Sequence, residues 1–192
     1  NYGYAVVEKS DMVFIPDPDT AVIDPFCSIP TLSMTGNAMI IDYPENRPLD
    51  QYPRNIVQAA EQYMKDTGIA DTMLILPEFE FHMFDQVGWS VRPNSIGVEL
   101  DTEQAYWNSD VQGQGVVVPH QKNYHMAKPF DTTYECRSEM CMLMEEAGIK
   151  IKYHHPEVGA AGQFEIEPML GQMSKMADAT MMIKYIIRNV AL

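Results

Sequence analysis

The sequence predicts an α+β chain built on antiparallel strands, and three observations carry that reading. Ile149-Lys150-Ile151-Lys152-Tyr153-His154 and Gln163-Phe164-Glu165-Ile166-Glu167 alternate apolar and polar side chains, the period of a strand with one covered face. The short run Val158-Gly159-Ala160-Ala161-Gly162 between them makes a hairpin of the pair. Residues 53–67, 137–148 and the stretch from Ser174 onward repeat instead at helical spacing.

Composition sets the outer limits. The chain has 192 residues, 46% hydrophobic and 21% charged, a globular balance and enough to bury roughly 70% of the unfolded surface. The length suits one domain, or one plus part of another. With 27 acidic side chains against 13 Lys plus Arg, the net charge is −14. That balance repels phosphate backbones, so nucleic acid is excluded as a partner, while metal ions, cationic ligands and plain solubility all fit. No apolar run reaches the roughly 18 residues of a membrane helix and no signal pattern opens the chain, so membrane and secretory readings are set aside. Cys27, Cys136 and Cys141 have no metal-ligand spacing and are expected as buried, reduced thiols of a cytoplasmic protein. The methionines at 140, 142, 144, 176, 181 and 182 fall in helical patterns and are expected to fill the core.

In chain order, Met12-Val13-Phe14-Ile15, Ala21-Val22-Ile23 and Ala38-Met39-Ile40-Ile41 read as short strands. Pro16-Asp17-Pro18-Asp19 reads as a turn, since it lacks the register and closing Glu of a calcium loop. The stripe Ile56, Val57, Ala60, Tyr63 and Met64 marks a helix with Pro53 in its first turn and Gly68 just past its end. Met73-Leu74-Ile75-Leu76-Pro77-Glu78-Phe79-Glu80-Phe81 reads as one strand, continuously apolar in its first half and so expected to be buried on both faces there. Residues 86–130 carry the signals of hairpins and long loops. Gly113-Gln114-Gly115 has no third glycine and no strand-to-helix setting, which excludes a dinucleotide fingerprint. Gly148 ends the second helix, and Ser174 starts the last one, expected to run to the chain end. Asn1-Tyr2-Gly3-Tyr4 opens like a loop, and 186–192 is apolar and uncapped. Both ends read as cuts within a longer polypeptide.

The carboxylates are the chemical signal. Alternation puts Glu78 and Glu80 on one face of their strand and groups Gln163, Glu165 and Glu167 on one face of theirs, with Glu157 following the strand before it. For any single Glu an outward polar face explains this. Four or five carboxylates gathered on one sheet, however, would repel one another unless cations sat among them, and hard oxygen donors select Mg²⁺ or Mn²⁺.

At these residues a family resemblance emerges. Ser10-Asp11-Met12-Val13, Thr20-Ala21-Val22-Ile23-Asp24-Pro25-Phe26, Gly68-Ile69-Ala70-Asp71-Thr72, Pro77-Glu78-Phe79-Glu80-Phe81, Arg137-Ser138-Glu139-Met140-Cys141, His154-His155-Pro156-Glu157-Val158 and Gly162-Gln163-Phe164-Glu165-Ile166 occur in this order. The series resembles the bacterial class I glutamine synthetases over nearly the whole chain, most weakly at 27–50 and 86–120.

The resemblance implies that 1–48 ends a β-grasp-like N-terminal domain. Residues 49–192 would begin the catalytic domain, an antiparallel sheet flanked by helices. It implies ATP-dependent ligation of ammonia to glutamate through γ-glutamyl phosphate, with two to three Mg²⁺ or Mn²⁺ ions per site. Glu80, Glu157 and Glu165 match the carboxylates of one metal and Glu78 matches a ligand of the second. Tyr124 and Glu157 match the ammonium pocket, and Asp11 matches an aspartate lent to that pocket by the adjacent subunit. A homo-oligomer is implied, a double hexameric ring with sites between subunits. The chain departs from the family pattern at Lys122-Asn123-Tyr124-His125, Lys152, Phe164 and Leu170, on the nucleotide and acceptor side. A glutamate–amine (polyamine) ligase and a catalytically silent relative therefore stand as alternatives. Against silence, Glu78, Glu80, Glu157 and Glu165 are all present.

Overall fold

The structure is a computed structural model and describes residues 11–110, 112 and 115–192. The expected opening loop at 1–4, Ser10, and the Gly113-Gln114 part of the G-x-G run lie outside the described residues. In chain order the elements are β1 (Met12–Pro16), β2 (Val22–Ile23), β3 (Leu32–Ser33), β4 (Gly36–Ile40), β5 (Arg47–Pro48), α1 (Pro53–Asp66), β6 (Leu74–Ile75), β7 (Phe79–His82), β8 (Gln86–Arg92), β9 (Ser95–Asp101), α2 (Tyr134–Glu146), β10 (Ile151–Pro156), β11 (Gln163–Pro168), β12 (Gly171–Gln172) and α3 (Met173–Val190). All strand ladders among the described residues are antiparallel, and strands and helices together make the expected α+β chain. Two compact units share these elements: the chain through Leu76 with Leu170–Asn189, and Pro77–Met169 with Val190–Leu192.

In the first unit β4 lies between β1 and β5. The turn expected at 16–19 is a single 3₁₀ turn, opened by the Asp17 carboxylate accepting from Asp19 N. Helix α1 begins at Pro53, which has no N–H to lose in a first turn, and Gly68 follows it with φ +69°. Its covered face takes in only part of the apolar stripe, the half-buried Val57 and Met64. Ile56, Ala60 and Tyr63 are exposed, whereas Asn55 is buried and donates to the carbonyls of Ala38 and Leu49 at 2.8 and 3.0 Å. Beside it Arg54 binds Asp178 of α3 at 2.9 Å, Asn37 of β4 at 2.5 Å, and Asp17. Polar pairs that link three elements outweigh the apolar stripe in orienting this helix. Glu61 of α1 accepts from Ser174 N at 3.0 Å and caps α3, which buries Met176, Ile183, Ile186 and Ile187.

The expected continuous strand at 73–81 is two strands in two sheets. Proline at 77 has no N–H for a ladder and interrupts it. The first part pairs only as Leu74–Ile75 with β12, and Leu74 is 54% exposed rather than buried on both faces.

The second unit holds the sheet β10–β11–β7, with α2 against its apolar face. Met140 and Met144 of α2 and Phe164 and Ile166 of β11 are buried. Arg137 joins them with 0% exposure, its guanidinium 4.7 Å from the Phe164 ring centre. The charge is tolerated because every arm is engaged: Asp131 at 2.5 and 3.1 Å, Thr133 at 2.5 Å and His154 Nδ1 at 3.3 Å. Helix α2 ends with Gly148 at φ +84°, whose N–H bonds Glu145 O. Strand β10 does not alternate strictly, because the register shifts between Ile151 and Tyr153. The 86–130 region contains the expected hairpin, β8 with β9, followed by long loops.

Some burial expectations fail. Met142 and Met181 face outward on helices whose opposite faces meet the core, and Cys27 is exposed. Cys141 is buried, which pushes its thiol up to about 11.

Replacing Arg137 with Met in the full-length protein strands the buried Asp131 carboxylate. Stability should fall by about 3–5 kcal/mol in chemical denaturation. Arg137→Lys should recover only part of the loss, because an ammonium cannot span the same fork. In the first unit, Asp24 is held below 3.8 by the Phe26 N–H, then by the Tyr185 and Ser33 hydroxyls. A carboxyl with a lowered folded pKa stabilises above its unfolded value and loses that contribution as pH falls through the folded one. The stability gap between wild type and Asp24→Asn should therefore be constant near neutrality and close on acidification below pH 3.8, as read from denaturation midpoints.

Candidate active site

The face of the sheet opposite α2 is set by register. Strand β11 pairs Glu165 with Glu80 of β7 on one side and with His155 of β10 on the other. Three side chains thus form a row across the sheet, while Phe164 and Ile166 oppose Phe81 and Phe79 on the covered face. Gln163 and Glu167 flank Glu165 on the same face by period two.

Of the sequence-predicted residues, Glu165 is buried at the centre and Glu157 is buried just after β10. His155 lies between them, its Nε2 3.6 Å from Glu165 Oε2 and its Nδ1 3.8 Å from Glu157 Oε2. Glu78 is exposed and sits just ahead of β7, not on it. Glu80 is exposed on β7 and accepts from Gln163 Nε2 at 2.9 Å. So the four glutamates do not all lie on strands: two stand at strand ends. Tyr124 is 56% exposed, its ring centre 5.4 Å from that of His155. Asp11 belongs to the first unit, exposed before β1.

Among the described residues, two groups of donors come close enough to share a cation: His155, Glu157 and Glu165, and separately Glu78, Glu165 and Glu167, the ligand atoms within 4.8 Å of one another in each. Glu165 belongs to both. Burial first, then the hydrogen bond with Glu157 and the charges of Glu78 and Glu157, push its carboxyl up to about 7, with His155 pulling the other way. Carboxylates gathered around one imidazole are the donor set that a hard divalent cation satisfies. The residues present fit Mg²⁺ or Mn²⁺.

Asn123, which sequence reasoning passed over, holds the aromatic side of the site. Buried, it donates to the carbonyls of Ala160 and Gln163 at 3.2 and 3.1 Å and ties the 122–125 loop to the hairpin turn. His125 N donates to Pro156 O at 3.1 Å, and the His125 ring lies 4.2 Å from that of His155. His155 itself was legible as the next same-face position after Tyr153. The small residues of the turn serve the chain itself. Gly162 has φ +85°, and a Cβ there would meet Met83 O at 2.6 Å.

A mixed α+β domain with a carboxylate-lined antiparallel sheet is the class that this geometry defines. The family described as glutamine synthetase, catalytic domain, matches residues 50–192. A glutamine synthetase of Pasteurella multocida is 40% identical over 98% of this chain and 40% of its own length. A 3-hydroxylaminophenol mutase of Cupriavidus pinatubonensis is 39% identical over 98% of this chain and 41% of its own. The cryo-EM structure of Plasmodium falciparum glutamine synthetase superposes with a TM-score of 0.81 at 23% identity, over 97% of this chain and 37% of that one. The chain belongs to the glutamine synthetase family. It spans about two fifths of the length of the curated relatives it matches.

Gly162→Ala in the full-length protein should lower the melting temperature more than Gly148→Ala. Both glycines have positive φ, but only Gly162 has a backbone oxygen where the methyl would go. An equal loss would show that the turn yields.

Proposed function

We propose that the whole protein ligates ammonia to the side-chain carboxylate of glutamate, using ATP and passing through γ-glutamyl phosphate. The observation that carries this reading is Glu165, a buried carboxyl common to two donor groups on one open sheet face. Family membership and relatives named glutamine synthetase support it. Residues 49–192 would then begin the catalytic domain, in keeping with a family match that starts at residue 50, and 1–48 would close a β-grasp-like domain.

In this reading Glu80, Glu157 and Glu165 hold one Mg²⁺ or Mn²⁺ and Glu78 contributes to a second, two to three ions per site in all. When bound, such ions supply charge neutralisation for phosphoryl transfer from ATP to the glutamate carboxylate. The protein's own groups do the rest. His155 braces Glu157 and Glu165 from the side. The crowded anionic face favours NH₄⁺; Tyr124, against the His155 ring, helps orient that ion and Glu157 accepts a proton, leaving nucleophilic NH₃ to displace phosphate. Asp11, exposed in the first unit, would complete the pocket of a neighbouring subunit. A head-to-tail contact of that kind closes into rings, in keeping with a double hexamer. No helix among the described residues is long and apolar enough to cross a membrane, in keeping with a cytoplasmic enzyme.

Full-length wild type should form glutamine from glutamate, ammonium and ATP with Mg²⁺, and lose this on chelation. Glu165→Ala and Asp11→Ala should each reduce turnover at least about 10³-fold while keeping the assembly. Mixed rings of the two variants should regain activity, because some interfaces pair two unmutated halves. Products formed only with diamines would favour the amine ligase, and no ATP turnover at all would favour the silent relative. An active isolated monomer would refute the shared site.

A further inference from the structure

Among the described residues, the buried carboxylates other than Asp24 each have a basic side chain beside them: Asp131 has Arg137, Glu167 has Lys152, and Glu157 and Glu165 share the His155 imidazole. Asp24, buried in the first unit, pairs with no described basic group. Dipoles alone hold it. Phe26 N donates to Oδ1 at 2.9 Å, and the Tyr185 and Ser33 hydroxyls donate to Oδ2 at 2.9 and 3.3 Å. These donors favour the anion, the Phe26 N–H most, so a full negative charge stands withdrawn from water without a countercharge.

A cavity of about 250 Å³ has this carboxylate in its wall. Met34, Met181 and Met182 line it with flexible, apolar thioether side chains. Thr35 lines it too, and the buried Thr35 Oγ1 has no hydrogen-bond partner. A cavity of about 150 Å³ is enough to hold benzene, so this one has room for a ring and a short polar arm. A hard metal ion asks for about six oxygen ligands, and a single carboxylate among thioethers suits it poorly.

We propose that this cavity binds a small organic ammonium compound, a primary amine on an apolar body about the size of a benzene ring, with the ammonium against Asp24 and the body against the methionines. The ammonium supplies the missing countercharge through charge-assisted hydrogen bonds, and its further N–H donors suit the Thr35 hydroxyl. The site goes beyond the ligase reading and does not depend on it. Its wall belongs entirely to the first unit, whereas the glutamates of the carboxylate sheet belong to the second.

The probe is benzylammonium, added at constant ionic strength to the full-length protein labelled with ¹³C-methyl methionine. The Met34, Met181 and Met182 signals are identified by their loss in single Leu variants, and they should shift saturably. Benzyl alcohol and phenylacetate, similar in size but neutral and anionic, should bind at least about tenfold more weakly. Asp24→Asn keeps the volume, loses the charge and should weaken benzylammonium binding about tenfold or more. Met34 is half-exposed, so Met34→Trp should fold even where the Asn variant does not, fill the cavity with Asp24 intact and abolish the remaining shifts. Glu165→Ala removes the anionic centre of the sheet face and should leave the titration as in wild type. A titration without saturable shifts up to the solubility limit of the amine would overturn the proposal. So would equal binding of the three compounds, wild-type affinity in Asp24→Asn or Met34→Trp, or loss of the shifts in Glu165→Ala. Saturable, Asp24-dependent shifts in a protein that makes no glutamine would uphold this site and refute the ligase reading alone.

Discussion

Strand β11 is bonded on both edges, and that double constraint underlies the second unit. With Glu165 opposite Glu80 and His155 at once, neither neighbour can slip without the other. A shift of one residue would turn Phe164 and Ile166 out to water and drive Glu165 and Glu167 against α2. The antiparallel pairing therefore selects the core and the polar face together.

The two faces solve opposite electrostatic problems. Under α2 the buried charge is a cation, Arg137, and it is fully matched by Asp131, hydroxyl and imidazole partners and the Phe164 ring. On the open face the charges are anions with too few matches. Lys152 takes one oxygen of Glu167, and Gln163 takes one of Glu80. Burial first, then Glu157 and Glu78, push the Glu165 carboxyl up to about 7. The first arrangement stabilises a fold, whereas the second is an arrangement that a cation would complete.

The first unit shows how far polar contacts override pattern. Helix α1 presents Arg54, Asn55 and Glu61 inward because each finds a specific partner on β4, the 47–49 region or α3. Its apolar residues Ile56 and Tyr63 face away from that network. Hydrophobic periodicity correctly announced a helix, but of its stripe only Val57 and Met64 lie on the covered side.

Local chemistry was legible in the sequence alone. Period-two alternation put Glu165 and Glu167 on one side and Phe164 and Ile166 on the other. Proline at 53 and glycines at 68 and 148 marked helix ends, since φ limits at these residues act without tertiary help. The ordered motifs pointed to the family that the comparisons then established. What required the tertiary structure were relations between distant segments. The carboxylates of Glu78 and Glu167 come together only because β7 and β11 pair in one register. Lys152 reaches Glu167 beside a register shift that no alternation rule anticipates, and Asn123 matters only because the 122–125 loop returns to the hairpin turn. The apolar run at 73–76 was misjudged for the same reason: burial depends on which neighbours arrive, and Pro77 sends the two halves of that run to different sheets. Propensity resides in a few consecutive residues, whereas a site is made by hydrogen-bonded pairing between segments far apart in the chain, and only the folded chain decides that pairing.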